Sequence, residues 1–157
     1  MFSELENIQF MKLAIDEANK AKDKLEVPIG CVIIDNNSKE IISTGYNERE
    51  ETQNALKHAE LIAIENACRL KKNWRLENTT LYVTLEPCPM CAGAIINSRI
   101  PNVVFGASDP KAGSVGTINN LLAESKYNHH AEYTSGVLED ECADLLRNFF
   151  KNIRSKK

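Results

Sequence analysis

The chain has 157 residues, 43% of them hydrophobic and 26% charged, with a formal net charge of −3. These are the proportions of a globular protein long enough to bury one core, which excludes a disordered or fibrous chain. Its longest aliphatic runs, Cys31 to Ile34 and Ala92 to Ile96, are far too short to span a bilayer, and its acidic balance confines any nucleic-acid contact to a local basic patch.

Taken in chain order, the pattern predicts a first helix over about Ser3 to Lys22, with Phe10, Leu13, Ala14, Ala18 and Ala21 on one face. Ile29 to Asp35 reads as a strand, Asn36-Asn37-Ser38 as a turn and Glu40 to Tyr46 as the returning strand. A polar loop follows, then a helix over Ala59 to Leu70, a strand over Thr80 to Thr84 and a helix over Cys88 to Asn97. Val103 to Phe105 is a further strand, followed by a Gly-containing loop with Asp109 and Lys111. A short helix near Asn120 to Glu124, a strand near Glu132 to Thr134 and a last helix over Glu139 to Ile153 complete the chain. A hairpin followed by alternating helices and strands predicts a central sheet covered by helices on both faces. No repeat or Gly/Ser-rich linker divides the sequence, so residues 1–157 read as a single domain. No basic segment precedes an apolar run in the first ten residues, and a cytoplasmic location is expected.

The five cysteines are odd in number and do not read as a disulfide framework. Cys31, Cys68 and Cys142 sit in apolar segments, as small buried hydrophobes do. Cys88 and Cys91 differ. In Pro87-Cys88-Pro89-Met90-Cys91 the two thiols are three residues apart, one helical turn, so both sulfurs can meet a single ion. A helix N-terminus there favours the thiolate form that zinc binds, and Pro89 suits a first turn because its missing N–H costs nothing. Such a pair also marks redox dithiols and structural zinc sites. His58 supplies a third ligand with no obvious fourth, leaving a position open for water, the pattern of catalytic zinc.

Glu60 decides among these readings. Residues two apart on a regular helix face away from each other, so His58-Ala59-Glu60 should straddle a helix start. There His58 binds the metal and Glu60 serves as the proton carrier. His-x-Glu followed about 28 residues later by Pro-Cys-x-x-Cys matches the signature of zinc-dependent nucleobase deaminases.

Around these motifs the text resembles the cytidine deaminase superfamily, and within it the bacterial tRNA-specific adenosine deaminases. The likeness covers Glu26 to Gly30, Gly45-Tyr46-Asn47, Thr80 to Ile100, Val103 to Ala107, Asn128-His129, Gly136 to Leu138 and Leu145 to Phe150. It implies a three-layer α/β/α sandwich with a central five-stranded mixed sheet, a homodimer with one zinc ion per subunit, and adenosine at the wobble position of the tRNA anticodon loop as substrate. By that likeness Asn47 and the backbone at Ala59 hold the flipped base, while Asp109, Lys111, Asn128 and His129 contact the anticodon loop. One segment departs from it. The family's bacterial members read Asp-Pro-Thr-Ala before the zinc histidine, where this chain has Asn54-Ala55-Leu56-Lys57, and Leu56 and Lys57 are expected at the entrance unless Lys57 turns to water.

At the C-terminus Lys151, Arg154, Lys156 and Lys157 form a basic end. They can complement a helix C-terminus, opposite Glu139, Asp140 and Glu141 at its start, or bind RNA. On the last helix Cys142, Leu145, Leu146, Phe149 and Ile153 form one apolar stripe, with Phe149 near its centre. Phe150 lies at its margin beside Arg147 and Arg154, a combination suited to stacking on an unpaired base. Two other readings stand beside this one. A deaminase of a free base or nucleoside such as guanine or cytosine would keep the same motifs, and a non-catalytic zinc-stabilised binding module would have no use for Glu60.

Overall fold

A computed structural model describes residues 2–155 of the chain; Lys156 and Lys157 of the basic end lie outside them. In order the elements are α1 (Glu4–Asp23), β1 (Gly30–Asp35), β2 (Ile41–Tyr46), α2 (Arg49–Thr52), α3 (Ala59–Lys71), β3 (Thr79–Leu85), α4 (Pro89–Asn97), β4 (Asn102–Ala107), a 3-10 turn (Leu121–Ala123), β5 (Glu132–Thr134) and α5 (Glu139–Ser155). Ser3 starts α1 through a reciprocal cap: its hydroxyl accepts from the Glu6 N–H, and the Glu6 carboxylate accepts from the Ser3 N–H. No helix among the described residues is long and apolar enough to cross a membrane.

The strands form one five-stranded sheet in the order β2-β1-β3-β4-β5. β1 pairs antiparallel with β2 and β3, whereas β3–β4 and β4–β5 are parallel, so the sheet is mixed as expected. Successive residues alternate between faces. Cys31, Ile33, Leu81, Val83, Val103 and Phe105 pack with α3 and α4, and Val32, Ile34, Tyr82 and Val104 pack with α1 and α5. The result is the three-layer α/β/α sandwich. Gly45 lets α3 approach β2 closely, since a Cβ there would lie 2.5 Å from the Ala59 carbonyl oxygen.

Some expectations need correction. The buried face of α1 also includes Met11 and Glu17, which the expected stripe left out; Phe10 and Leu13 pack against it half-buried, on the same face as Ala14, Ala18 and Ala21. The polar loop after β2 contains α2, too short for any periodicity to announce. Cys31 and Cys142 are buried as expected, while Cys68 is only half-buried. Ile153 falls on the exposed last turn of α5, beyond the end of the apolar contact.

Candidate active site

The start of β1 and the ends of β2, β3 and β4 lie along one edge of the sheet, as the pairings of Gly30 with Tyr46, Cys31 with Val83 and Leu85 with Ala107 require. Ligand sites in sheets with parallel strands gather outside the carboxyl ends of those strands. Here both zinc motifs are delivered to that edge on helix starts. His58 is the N-cap of α3 and Cys88 the N-cap of α4, both in extended backbone, with Pro89 in the first turn of α4. Glu60 and Cys91 sit in the first turns of their helices. The extended cap residue breaks the 100° helical step, which is how residues two apart come to serve one site.

His58 Nδ1 stands 3.7 Å from Cys88 Sγ and 3.5 Å from Cys91 Sγ, and the three ligand atoms lie within 4.8 Å of one another. Tetrahedral zinc with ordinary Zn–N and Zn–S bonds would separate nitrogen from sulfur by about 3.6 Å. The donor set and its spacing therefore fit zinc. The thiols are already unequal. A hydrogen bond from Cys91 and another from His58 hold Cys88 at about 4, against the opposing effect of burial. The same Cys88 contact, with burial, drives Cys91 well above the ordinary thiol range, and the Cys88 hydrogen bond raises His58. Metal binding thus has to displace the Cys91 proton.

Glu60 is 4% exposed. Burial pushes its carboxyl up to about 7, with its own N–H and His58 pulling the other way. An acid–base group works best with a pKa near the working pH.

Asn47, His58, Ala59, Glu60, Cys88 and Asp109 all line one cavity of about 170 Å³. Asn47 is buried, its N–H on the Ile29 carbonyl and its Nδ2 donating to the Val27 carbonyl at 3.4 Å, which leaves Oδ1 to a ligand. As the first residue of α3, Ala59 carries an N–H with no intrahelical acceptor. Beyond the cavity, and sharing Val27, Arg49, Leu85 and Asp109 with it, runs a groove of about 1090 Å³ lined also by Lys111, Phe150, Lys151 and Arg154.

Two expected residues are elsewhere. His129 Nε2 donates to the Ile100 carbonyl, 2.9 Å away, and Asn128 is exposed beside it. Ile100 precedes β4, whereas Asp109 follows it, so within one chain these residues lie at the far end of the strand. Parallel pairing of β5 with β4 forces that placement. Leu56 and Lys57 line neither space; Lys57 Nζ turns to Glu65, 3.6 Å away.

Besides Glu17 on α1, two buried carboxylates that no sequence motif marks brace the loops of the site. Glu26, 1% exposed, accepts from the N–H groups of Glu50 and Glu51 and so fixes α2. Glu86, 2% exposed, accepts from the N–H groups of Asp109, Val115 and Thr117 and from the Thr117 hydroxyl, gathering the loop that carries Asp109 and Lys111. Burial opposes ionisation of Glu86, but these donors outweigh it and hold the carboxyl below its ordinary value. Gly113 leaves room for that carboxylate, which a Cβ would strike. Glu86→Gln puts an NH₂ against backbone donors, and urea denaturation should register a loss of about 1–3 kcal/mol; an unchanged midpoint would show that the loop stands without the charge.

Residues 5–107 match the family described as the cytidine and deoxycytidylate deaminase zinc-binding region. A tRNA-specific adenosine deaminase of Bacillus subtilis (strain 168) is 55% identical over 148 residues, covering 94% of this chain and 91% of the relative. A solved structure of a tRNA:A34 deaminase, from work on A-to-I editing at the wobble position of transfer RNA, superposes with a TM-score of 0.83 at 38% identity, covering 88% of this chain and 99% of that one. The guanine deaminase of Nitrosomonas europaea, at 20% identity and a TM-score of 0.79, shares the fold.

Proposed function

The chain belongs to the cytidine and deoxycytidylate deaminase zinc-binding family, and from that premise we propose that it converts adenosine to inosine, by hydrolysis, at the wobble position of a transfer RNA. The carrying observation is the pairing of spaces. A cavity smaller than the about 300–1,000 Å³ of typical small-molecule pockets opens into a long groove bearing Lys111, Lys151, Arg154 and the ring of Phe150. A base fits the first, and a strand of RNA suits the second, where cations meet phosphates and an aromatic ring meets an unpaired base.

His58, Cys88 and Cys91 would hold one zinc ion per subunit. When bound, zinc supplies a water molecule activated near neutral pH. The protein's own residues do the rest. Asn47 and the Ala59 N–H orient the base so that its amino-bearing carbon faces Glu60. Glu60 accepts a proton from the attacking water as the new C–O bond forms and passes it to the adjacent ring nitrogen. It then takes the remaining proton from the new hydroxyl and delivers it to the amino group as the C–O bond becomes a carbonyl and the C–N bond breaks, so ammonia leaves and one carboxylate acts in turn as base and acid.

In this reading the 157 residues act as one cytoplasmic deaminase domain. If Asn128 and His129 touch the same anticodon loop, a second copy must bring them, which is the reason to expect a homodimer.

Base flipping costs unstacking energy that contacts to flanking nucleotides must offset. An anticodon stem-loop with adenosine at the wobble position should therefore gain inosine, detected by nucleoside analysis. Free adenosine, guanine and cytidine should react little or not at all. Comparable efficiency on any of them would make this an enzyme of small substrates.

A further inference from the structure

Asn47 and His58 bracket a small closed loop. Its ends are tied by the Glu48 N–H to the Lys57 carbonyl at 3.0 Å, and α2 lies within it. The loop is clamped twice. Beneath it, the buried Glu26 carboxylate takes the N–H groups of Glu50 at 3.0 Å and Glu51 at 2.5 Å. At its side, Lys24 Nζ donates to the Tyr46 hydroxyl at 2.7 Å and stands 3.7 Å from the Glu51 carboxylate.

This clamp fixes the backbone of Arg49, the first residue of α2. Arg49 lines both the catalytic cavity and the outer groove, and so stands at the boundary between them. Among the described residues its guanidinium has no carboxylate within 4 Å and no hydrogen bond. Arg147, which also lines the groove, is engaged with Asp144. An unpaired guanidinium on a braced backbone is suited to an incoming anion.

We propose that Arg49 binds the phosphate next to the target adenosine and so holds the nucleotide at the rim while its base enters the cavity. The inference rests on the RNA reading above. The cavity has room for the base, which leaves the ribose and its phosphates at the boundary where Arg49 stands. The planar fork of a guanidinium matches two phosphate oxygens, which a lysine at the same place would not. A free base has no such phosphate, so Arg49 discriminates between substrates without touching the reacting atoms.

The test uses the zinc-loaded full chain and a stem-loop RNA with adenosine at the wobble position. Two further RNAs carry a neutral methylphosphonate on the 5′ or the 3′ side of that adenosine. Arg49→Gln should raise KM for the all-phosphate RNA roughly tenfold and lessen the slope of log affinity against log salt by about 0.7. One methylphosphonate should impose a similar loss on the wild type and almost none on Arg49→Gln. If both methylphosphonates weaken the two proteins by the same factor, the assignment is overturned; so too if kcat falls while KM holds. A wild type inactive on the all-phosphate RNA would instead overturn the RNA reading, and that failure shows before any substitution is made.

Discussion

Replacing Glu60 by alanine should leave a folded, zinc-loaded protein whose deamination rate has dropped by at least ~10²–10⁴-fold, the contribution of a positioned acid–base group. The expectation follows from a division of labour visible in the geometry. His58, Cys88 and Cys91 meet one another without Glu60, at nitrogen–sulfur distances of 3.5 and 3.7 Å. Glu60 lines the cavity instead, fully enclosed, where burial raises its carboxyl to about 7. Removing a carboxylate whose ionised form is disfavoured by burial relieves desolvation and should not unfold the protein. His58→Ala or Cys88→Ala, by contrast, should lose metal and activity together, because two protein ligands hold zinc poorly. Metal analysis of the purified variants beside an ammonia-release assay separates the two classes. Loss of zinc from Glu60→Ala would mean that the carboxylate is a fourth ligand, and the site would then resemble a closed structural centre.

The metal site was legible in the sequence because its chemistry is local. Both motifs sit on helix starts, and the cap geometry that turns His58 and Glu60 toward one point needs only a few consecutive residues. The layers were legible for a similar reason: β1, β3 and β4 carry the apolar runs of strands covered on both faces. What escaped depends on contacts distant in the chain. Glu86 takes its donors from residues 23 to 31 positions onward, and Glu26 takes its own from α2. Glu86 directly precedes Pro87 and Glu26 stands two residues before Pro28, and neither position hints at its partners. Arg49 was unreadable because a four-residue helix has no periodicity, and only the folded chain sets it between the cavity and the groove. The placement of Asn128 and His129 depends on the direction in which β5 joins β4. A three-residue strand does not encode that direction.

The two phenylalanines of α5 should separate by consequence, although they are adjacent in sequence and their rings meet edge to face at 5.5 Å. Phe149 is 6% exposed and Phe150 is 43% exposed, with Phe150 lining the cationic groove. Of all the residues of α5, only Cys142 and Phe149 are buried, so the helix is pinned near its start by one and in its second half by the other. Phe149→Ala should therefore cost roughly 3–5 kcal/mol, the range for truncating a buried aromatic ring. The value should fall toward the lower end, because Phe149 lies outside the two main apolar clusters and its ring partner Phe150 is exposed. Phe150→Ala removes a ring already half in solvent. It should shift thermal stability less while weakening RNA binding by ~1–3 kcal/mol, the worth of one base stacked on an aromatic side chain. Arg154→Ala should flatten the salt dependence of binding, as the loss of one phosphate contact does. Thermal melts and RNA titrations at two salt concentrations measure all three variants. Equal destabilisation by both phenylalanine substitutions, with RNA affinity of the folded Phe150 variant unchanged, would return both rings to the core and leave the groove to its cations alone.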